Sequence, residues 1–187
     1  MTNTPSTELA LRALINKQLI AELVLSYSRS VDRQDFSLLR TLYTEDAFDD
    51  HGDLYRGNAA GYVDSLEQSM QGCDITSHAV HNHLIALIDE QTAEGEVYVS
   101  AYHRIADGKG GLVDYVGGFR YLDQYRLEGD RWLFSRRQLM IDWCKTAPAF
   151  WDTNQPWLPG TPMGTTNSDD HSYTLTHPLF ARSGTTG

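Results

Sequence analysis

The sequence predicts an α+β domain, a curved antiparallel sheet wrapped around three N-terminal helices, followed by an extended C-terminal arm. Three observations predict it. Helical periodicity is confined to the first part of the chain, strand-like composition to residues 77–143, and turn chemistry clusters between the strands. From Thr7, the residues Leu11, Ile15, Leu19, Leu23, Tyr27 and Val31 recur every four positions, while Arg12, Lys17, Glu22 and Arg29 fall elsewhere around the axis. This is one long amphipathic helix. Arg33 and Gln34 break the spacing, and Asp35 suits the N-cap of a short second helix carrying Phe36, Leu38, Leu39 and Leu42. AFDDHGDLYRG then reads as a small hairpin around Gly52, and Gly57 and Asn58 lead into a third helix, AAGYVDSLEQSM.

Four long strands follow: HAVHNHLIALI, EGEVYVSAYHRI, LVDYVGGFRYLDQYRL and RWLFSRRQLMIDW. DEQT, ADGKGG and EGDR supply the turns between them. The domain is expected to span residues 1–144. The tail, 145–187, holds every proline but Pro5 and is rich in Gly and Thr, so regular structure is not expected there. Its Phe150, Trp151, Trp157, Tyr173 and Phe180 make it an arm that packs over the pocket mouth or a neighbouring subunit, rather than a plain linker.

At 187 residues the chain is long enough to bury a core without disulfide staples. A net charge of −10 argues against nucleic acid or an anionic membrane surface as partner. No basic stretch leads into an apolar run at the start, and no apolar run is long enough to span a bilayer, so a cytoplasmic protein is expected. Cys73 and Cys144 lack metal-binding or disulfide spacing, and no cofactor or metal is expected.

The densest chemical signal is TSHAVHNHL, with three histidines in six positions. Strand alternation puts His78, Val80, Asn82, Leu84, Ala86 and Ile88 on one face and His81, His83, Ile85 and Leu87 on the other. The two faces are similarly apolar, so alternation alone leaves the inward one open. His81 and His83 have the spacing of a chelating pair, but no carboxylate follows before Asp89, which favours surface or subunit-facing histidines. His78 and Asn82 place a base and an amide together above apolar positions. An imidazole base needs a group that fixes its tautomer, and Asp32, at the unfavourable negative end of the first helix, is the candidate. In the last strand Leu133, Ser135, Arg137, Leu139, Ile141 and Trp143 share a register. If that face is inward, Arg137 is a lone charge requiring an anion; otherwise Arg136 and Arg137 lie in rim ion pairs.

YSRSVDRQDFSLLRTLYTEDAFDDHG, SHAVHN and VGGFRYLDQYRLEGDRWLFSRR together resemble the SnoaL-like branch of the nuclear transport factor two-like superfamily, from about Ala10 to Trp143. The resemblance implies a cone-shaped α+β barrel. Its cofactor-free lyases include scytalone dehydratase, hexachlorocyclohexane dehydrochlorinase and bile acid 7α-dehydratase. In these, a histidine opening the third strand works with an aspartate ending the first helix, matching His78 and Asp32. The same comparison adds Tyr27 and Arg137 as catalytic residues and Asn82 as a pocket residue.

Four positions depart from these relatives. Val31 stands where scytalone dehydratase has a tyrosine, and its pocket serine and asparagine are replaced by Phe119 and Tyr121. Tyr27 replaces the lysine of the dehydrochlorinase. The resemblance therefore implies a dehydratase-type β-elimination on a small hydrophobic alicyclic or aromatic substrate, with Asn82, Leu84, Phe119, Leu139, Ile141 and Trp143 binding it. The alternatives are an isomerase or cyclase of the ketosteroid isomerase type, and a non-catalytic module like a dioxygenase small subunit. A homo-oligomer formed through the outer sheet face is expected, a trimer in preference to a dimer.

Overall fold

The computed structural model describes residues 6–149 and 160–183. Helix α1, Thr7–Asp32, is opened by the Ser6 hydroxyl, which accepts from the Leu9 amide at 3.3 Å. Its tightly packed face is Ile20, Leu23, Val24, Tyr27 and Val31, a helical stripe. Leu11, Ile15 and Leu19, expected to continue that stripe, remain on the surface: a strict four-residue spacing drifts around a 3.6-residue helix, and the half-buried Ala13 and Asn16 continue the packed face instead, Asn16 accepting from the Trp132 indole at 3.3 Å. Gln34 takes a positive φ of 49° and ends α1 in a sharp turn. Asp35 then caps α2, Phe36–Arg40, accepting from the Leu38 amide at 3.0 Å.

Strands β1, Tyr43–Asp50, and β2, Arg56–Asn58, form the hairpin, with Gly52 at φ 63° in its turn. The Asn58 side chain caps α3, Ala59–Ser69, accepting from the Gly61 amide at 2.7 Å. The long strands are β3, Cys73–Leu87, β4, Thr92–Ala106, β5, Leu112–Glu128, and β6, Arg131–Pro148. They join β1 and β2 in the order β2-β1-β6-β5-β4-β3.

The cone-shaped α+β arrangement is the one expected, and two details refine its sheet. The β1–β6 pair is parallel, so the sheet is mixed, and β2 and β3 are free edges of a strongly curved, open sheet. The helices lie in its concavity. Val97, Val99, Tyr121, Tyr125 and Phe134 meet the packed face of α1 there. Each large apolar side chain buried in such a core contributes about 1.5–3 kcal/mol.

Bulges set the side-chain directions. In β3, Val80 faces Val99 but His83 faces Val97, so His81 and Asn82 together oppose Tyr98 and the alternation inverts between them. In β6, Phe119 faces Ile141 while Gly118 faces Trp143, making Asp142 the extra residue. A third bulge separates Arg136 from Phe134.

Strand β6 runs four residues past the expected boundary at residue 144. Residues 160–183 form two short 3-10 turns and pack on their own chain. Arg29 donates to the Ser172 hydroxyl at 3.0 Å and the Phe180 carbonyl at 3.1 Å, Arg33 pairs with Asp170 at 3.1 Å, and the Ser183 amide donates to Asp35 at 3.0 Å. The described part of the arm therefore clasps the end of α1, and among the described residues none from it lines the cavity. Phe150, Trp151 and Trp157 lie outside the described residues.

Candidate active site

The concave face of the sheet, α1 and α3 enclose a mostly apolar cavity of about 390 Å³, within the range of small-molecule sites. His78 lines one wall. Its Nδ1 lies 2.7 Å from Asp32 Oδ1, and its backbone N–H donates to Asp32 Oδ2 at 2.9 Å. The Thr76 hydroxyl donates to Oδ1 at 3.4 Å. Asp32 sits at the last residue of α1, where the macrodipole disfavours a negative charge. Three donors offset that cost. A carboxylate only accepts, so Nδ1 carries the imidazole proton and Nε2 presents its lone pair. Among the described residues Nε2 has no hydrogen-bond partner.

His103 stands edge-on to His78, ring centres 5.1 Å apart, with Nδ1 3.0 Å from the Thr76 hydroxyl. Burial first, and the neighbouring His78 second, push its pKa down to about 4, partly opposed by Asp32. It stays neutral at neutral pH.

A second group occupies another part of the lining. The buried Asp49 pairs through Oδ1 with His51 Nδ1 and accepts the Tyr43 hydroxyl through Oδ2 at 2.7 Å. His51 stacks on Tyr62, ring centres 4.5 Å apart, with Nε2 3.3 Å from the Tyr62 hydroxyl. The Tyr62 and Tyr27 hydroxyls are 2.7 Å apart. His51, Tyr62 and Tyr27 all line the cavity. Burial holds the Tyr27 and Tyr62 phenols well above their ordinary pKa, with the Arg137 guanidinium pulling the other way, so both remain O–H groups.

Of the residues singled out in the sequence, His78, Tyr27, Phe119, Leu139 and Ile141 line this cavity, and Asp32 lies behind His78. Four others are placed elsewhere. Leu84 is 73% exposed and Asn82 is exposed, because the β3 bulge inverts the face after Val80; His83, Ile85 and Leu87 turn toward the core instead. Trp143 is 55% exposed, since the Asp142 bulge sends it to the outer face, where its indole lies over Gly118. A Cβ on Gly118 would come within 2.2 Å of that ring, so glycine is what lets the indole lie flat there.

Arg137 takes the inward of the two alternatives, yet it is fully buried behind the lining rather than on it. Its anion is Asp123, directly opposite in register, held bidentately at 2.8 and 2.7 Å. The guanidinium lies about 4 Å from the ring centres of Tyr27, Tyr121 and Phe134. It supports the tyrosine wall from behind. The candidate chelating pair is split by the β3 bulge: His81 bonds Ser100 at 2.8 Å and His83 bonds the Tyr125 hydroxyl at 3.1 Å.

A family model described as a SnoaL-like domain matches residues 12–138, most of the chain and both members of the His78–Asp32 pair. The chain belongs to the SnoaL-like family. Solved structures with the same cone-shaped α+β fold, that of the nuclear transport factor two-like superfamily, include a candidate scytalone dehydratase from Novosphingobium aromaticivorans. It is 22% identical, with a TM-score of 0.67, covering 75% of this chain and 93% of that one. A type 2 hexachlorocyclohexane dehydrochlorinase is 15% identical at a TM-score of 0.70, covering 78% and 99%. The beta subunit of a candidate aromatic-ring-hydroxylating dioxygenase from Novosphingobium aromaticivorans is 14% identical at 0.57, covering 70% and 91%. At these identities the likeness establishes the fold. No curated protein matches the chain.

Reading the sequence missed His51, Asp49, Tyr62 and His103 as site residues. His103 had a signal, a polar residue ending the inward row Val97, Val99, Ala101. Tyr62 belongs to the α3 stripe Ala59, Tyr62, Val63 and reads as core. His51 follows the hairpin strand, where no periodicity reports which way it points.

Proposed function

We propose that this SnoaL-like protein is a cofactor-independent lyase of the dehydratase type, with His78 as its base. One observation carries the reading: Asp32 holds the His78 Nδ1 proton at 2.7 Å and leaves Nε2 free on the wall of an apolar cavity. His78 Nε2 removes a proton from a carbon acidified by an adjacent carbonyl. Asp32 fixes the tautomer and stabilises the imidazolium that forms. Tyr27 assists the departing oxygen, and Arg137 acts on Tyr27 through its ring rather than on substrate. Phe119, Leu139 and Ile141 favour a hydrophobic alicyclic or aromatic substrate. The names of the dehydratase and dehydrochlorinase neighbours support elimination chemistry.

A nitro-substituted benzisoxazole tests the base directly, because proton loss from its ring carbon breaks the N–O bond and releases a coloured phenolate. The wild-type protein is expected to accelerate this opening, and His78→Ala to lose roughly 10²-fold or more of that rate. Equal rates in the two proteins would remove His78 from the role.

The dioxygenase beta-subunit neighbour favours a second reading, a non-catalytic assembly module. That reading expects no rate above the His78→Ala level and a large-subunit partner on copurification. The exposed Leu84, Leu122, Met140 and Trp143 on the outer sheet face are consistent with a homo-oligomer, a trimer in preference to a dimer, which sedimentation equilibrium would measure.

A further inference from the structure

Two imidazoles on the cavity lining, His78 and His51, are each backed by a carboxylate, Asp32 and Asp49. The Asp49–His51 pair has features that a packing role does not require. Asp49 is completely buried, yet both its oxygens are occupied, by His51 Nδ1 and by the Tyr43 hydroxyl. His51 is stacked flat on Tyr62, which fixes the ring that carries Nε2. From Nε2 a continuous hydrogen-bonded path leads through Tyr62 to Tyr27, with all three side chains on the cavity lining.

The direction of that path depends on one proton. When His51 is neutral, Asp49 keeps the proton on Nδ1, Nε2 accepts from Tyr62, and Tyr62 accepts from Tyr27. Tyr27 then has only a lone pair left for a ligand. When His51 is an imidazolium, Nδ1 still donates to Asp49, but the two bonds beyond Nε2 reverse, and Tyr27 has its O–H free for the cavity. The groups facing His51 are Asp49 from β1, Tyr62 from α3 and Tyr121 from β5, with Tyr43 on the far oxygen of Asp49 and the Arg137 guanidinium of β6 behind Tyr27 and Tyr121.

We propose that the chain Asp49–His51–Tyr62–Tyr27 is the acid pole of this cavity, supplying the proton for a poor leaving oxygen, and that its substrates are therefore β-hydroxycarbonyl compounds. The inference rests on the reading of His78 as base. A chloride or a carboxylate departs without a proton, so a donor path through three side chains serves a group that leaves badly as its anion, such as hydroxide. The step balances within one molecule. His78 Nε2 takes the α-proton, the C–H electron pair forms the C=C bond, and the C–O bond breaks. The oxygen leaves as water with the Tyr27 proton, which Tyr62 replaces and His51 Nε2 replaces in turn. Exchange with solvent then returns His78 to neutral and His51 to its cation. Tyr27, Tyr62 and His51 are the catalytic donors; Asp49 and Tyr43 are positioning residues.

Two probes that differ only in leaving group test this. The nitro-substituted benzisoxazole expels a weakly basic phenolate, and unsubstituted benzisoxazole expels a more basic one that gains from a donor. His51→Gln and, with its ring stacking kept, Tyr62→Phe are expected to slow the unsubstituted probe roughly tenfold more than the nitro probe. A purely structural role lowers both rates by the same factor, and that result, in whichever variant folds, would overturn the acid pole. If the wild-type protein opens neither probe faster than His78→Ala does, the base reading fails and this inference with it. If both are opened and His51→Gln leaves their ratio as in the wild type, only the acid pole fails.

Discussion

Replacing Asp32 by Asn tests the base geometry without removing any side-chain volume. The Asp32 carboxylate accepts from His78 Nδ1 at 2.7 Å, the His78 amide at 2.9 Å and the Thr76 hydroxyl at 3.4 Å. An Asn oxygen can still serve the His78 amide, but its NH2 group then faces Nδ1. Two donors cannot share that contact, so the imidazole proton moves to Nε2 and the lone pair turns away from the cavity. A hydrogen bond to a charged group is worth about 1.5–3 kcal/mol and a neutral one about 1 kcal/mol, so the net loss of stability is expected to be about 1–2 kcal/mol.

Catalysis suffers more, because the tautomer is reversed and the imidazolium loses its counter-charge. A fall of roughly 10²- to 10⁴-fold is expected, equivalent to about 3–5 kcal/mol of activation free energy. Initial rates of nitrobenzisoxazole opening, with urea unfolding on the same samples, separate the two effects. A folded Asp32→Asn protein within about threefold of the wild-type rate would refute the argument, since the general-base contribution is set at no less than about 10²-fold.

Other predictions concern what surrounds the dyad. Arg137→Met leaves Asp123 buried without its cation and is expected to cost about 3–5 kcal/mol in equilibrium denaturation, most of it recovered when Asp123→Leu is added. His103, held near about 4 in the folded state and near 6.5 when unfolded, binds its proton more readily in the unfolded chain between those values. Its contribution is therefore intact at pH 7 and lost as pH falls from about 6.5 to about 4, by about 3 kcal/mol at most, a slope that His103→Phe removes from the acid side of a stability profile. Leu139→Ala is expected to weaken saturation by the benzisoxazole probe, whereas Leu84→Ser leaves it as it is, because the β3 bulge turns Leu84 outward.

Local signals are written plainly in this chain. The 3.6-residue stripe ending at Val31 fixes where Asp32 falls, the Asp35 and Asn58 caps fix where α2 and α3 begin, and composition separates the helical part from the sheet. His78 was legible through the resemblance and the Asp32 that ends α1, because alternation alone left the inward face of β3 open, and it precedes the bulge between Val80 and His83. Asn82 lies in that bulge and Leu84 follows it, and a single inserted residue reverses every face beyond. Trp143 fails for the same reason at Asp142.

Arg137 was legible as an inward charge, but its partner depended on which residue of β5 stands opposite, and pairing put Asp123 there. The parallel β1–β6 contact joins segments far apart in sequence, and that contact helps bring the hairpin, with Asp49 and His51, to the cavity. Periodicity is a property of neighbours along the chain, and so the sequence by itself determined where the helices and strands lie and put Asp32 at the end of α1, while its pairing with His78 was an expectation from the resemblance. Register, bulges and strand order are properties of neighbours across the sheet, and only the tertiary structure decided the open mixed sheet, the buried guanidinium and the second imidazole pair on the cavity lining.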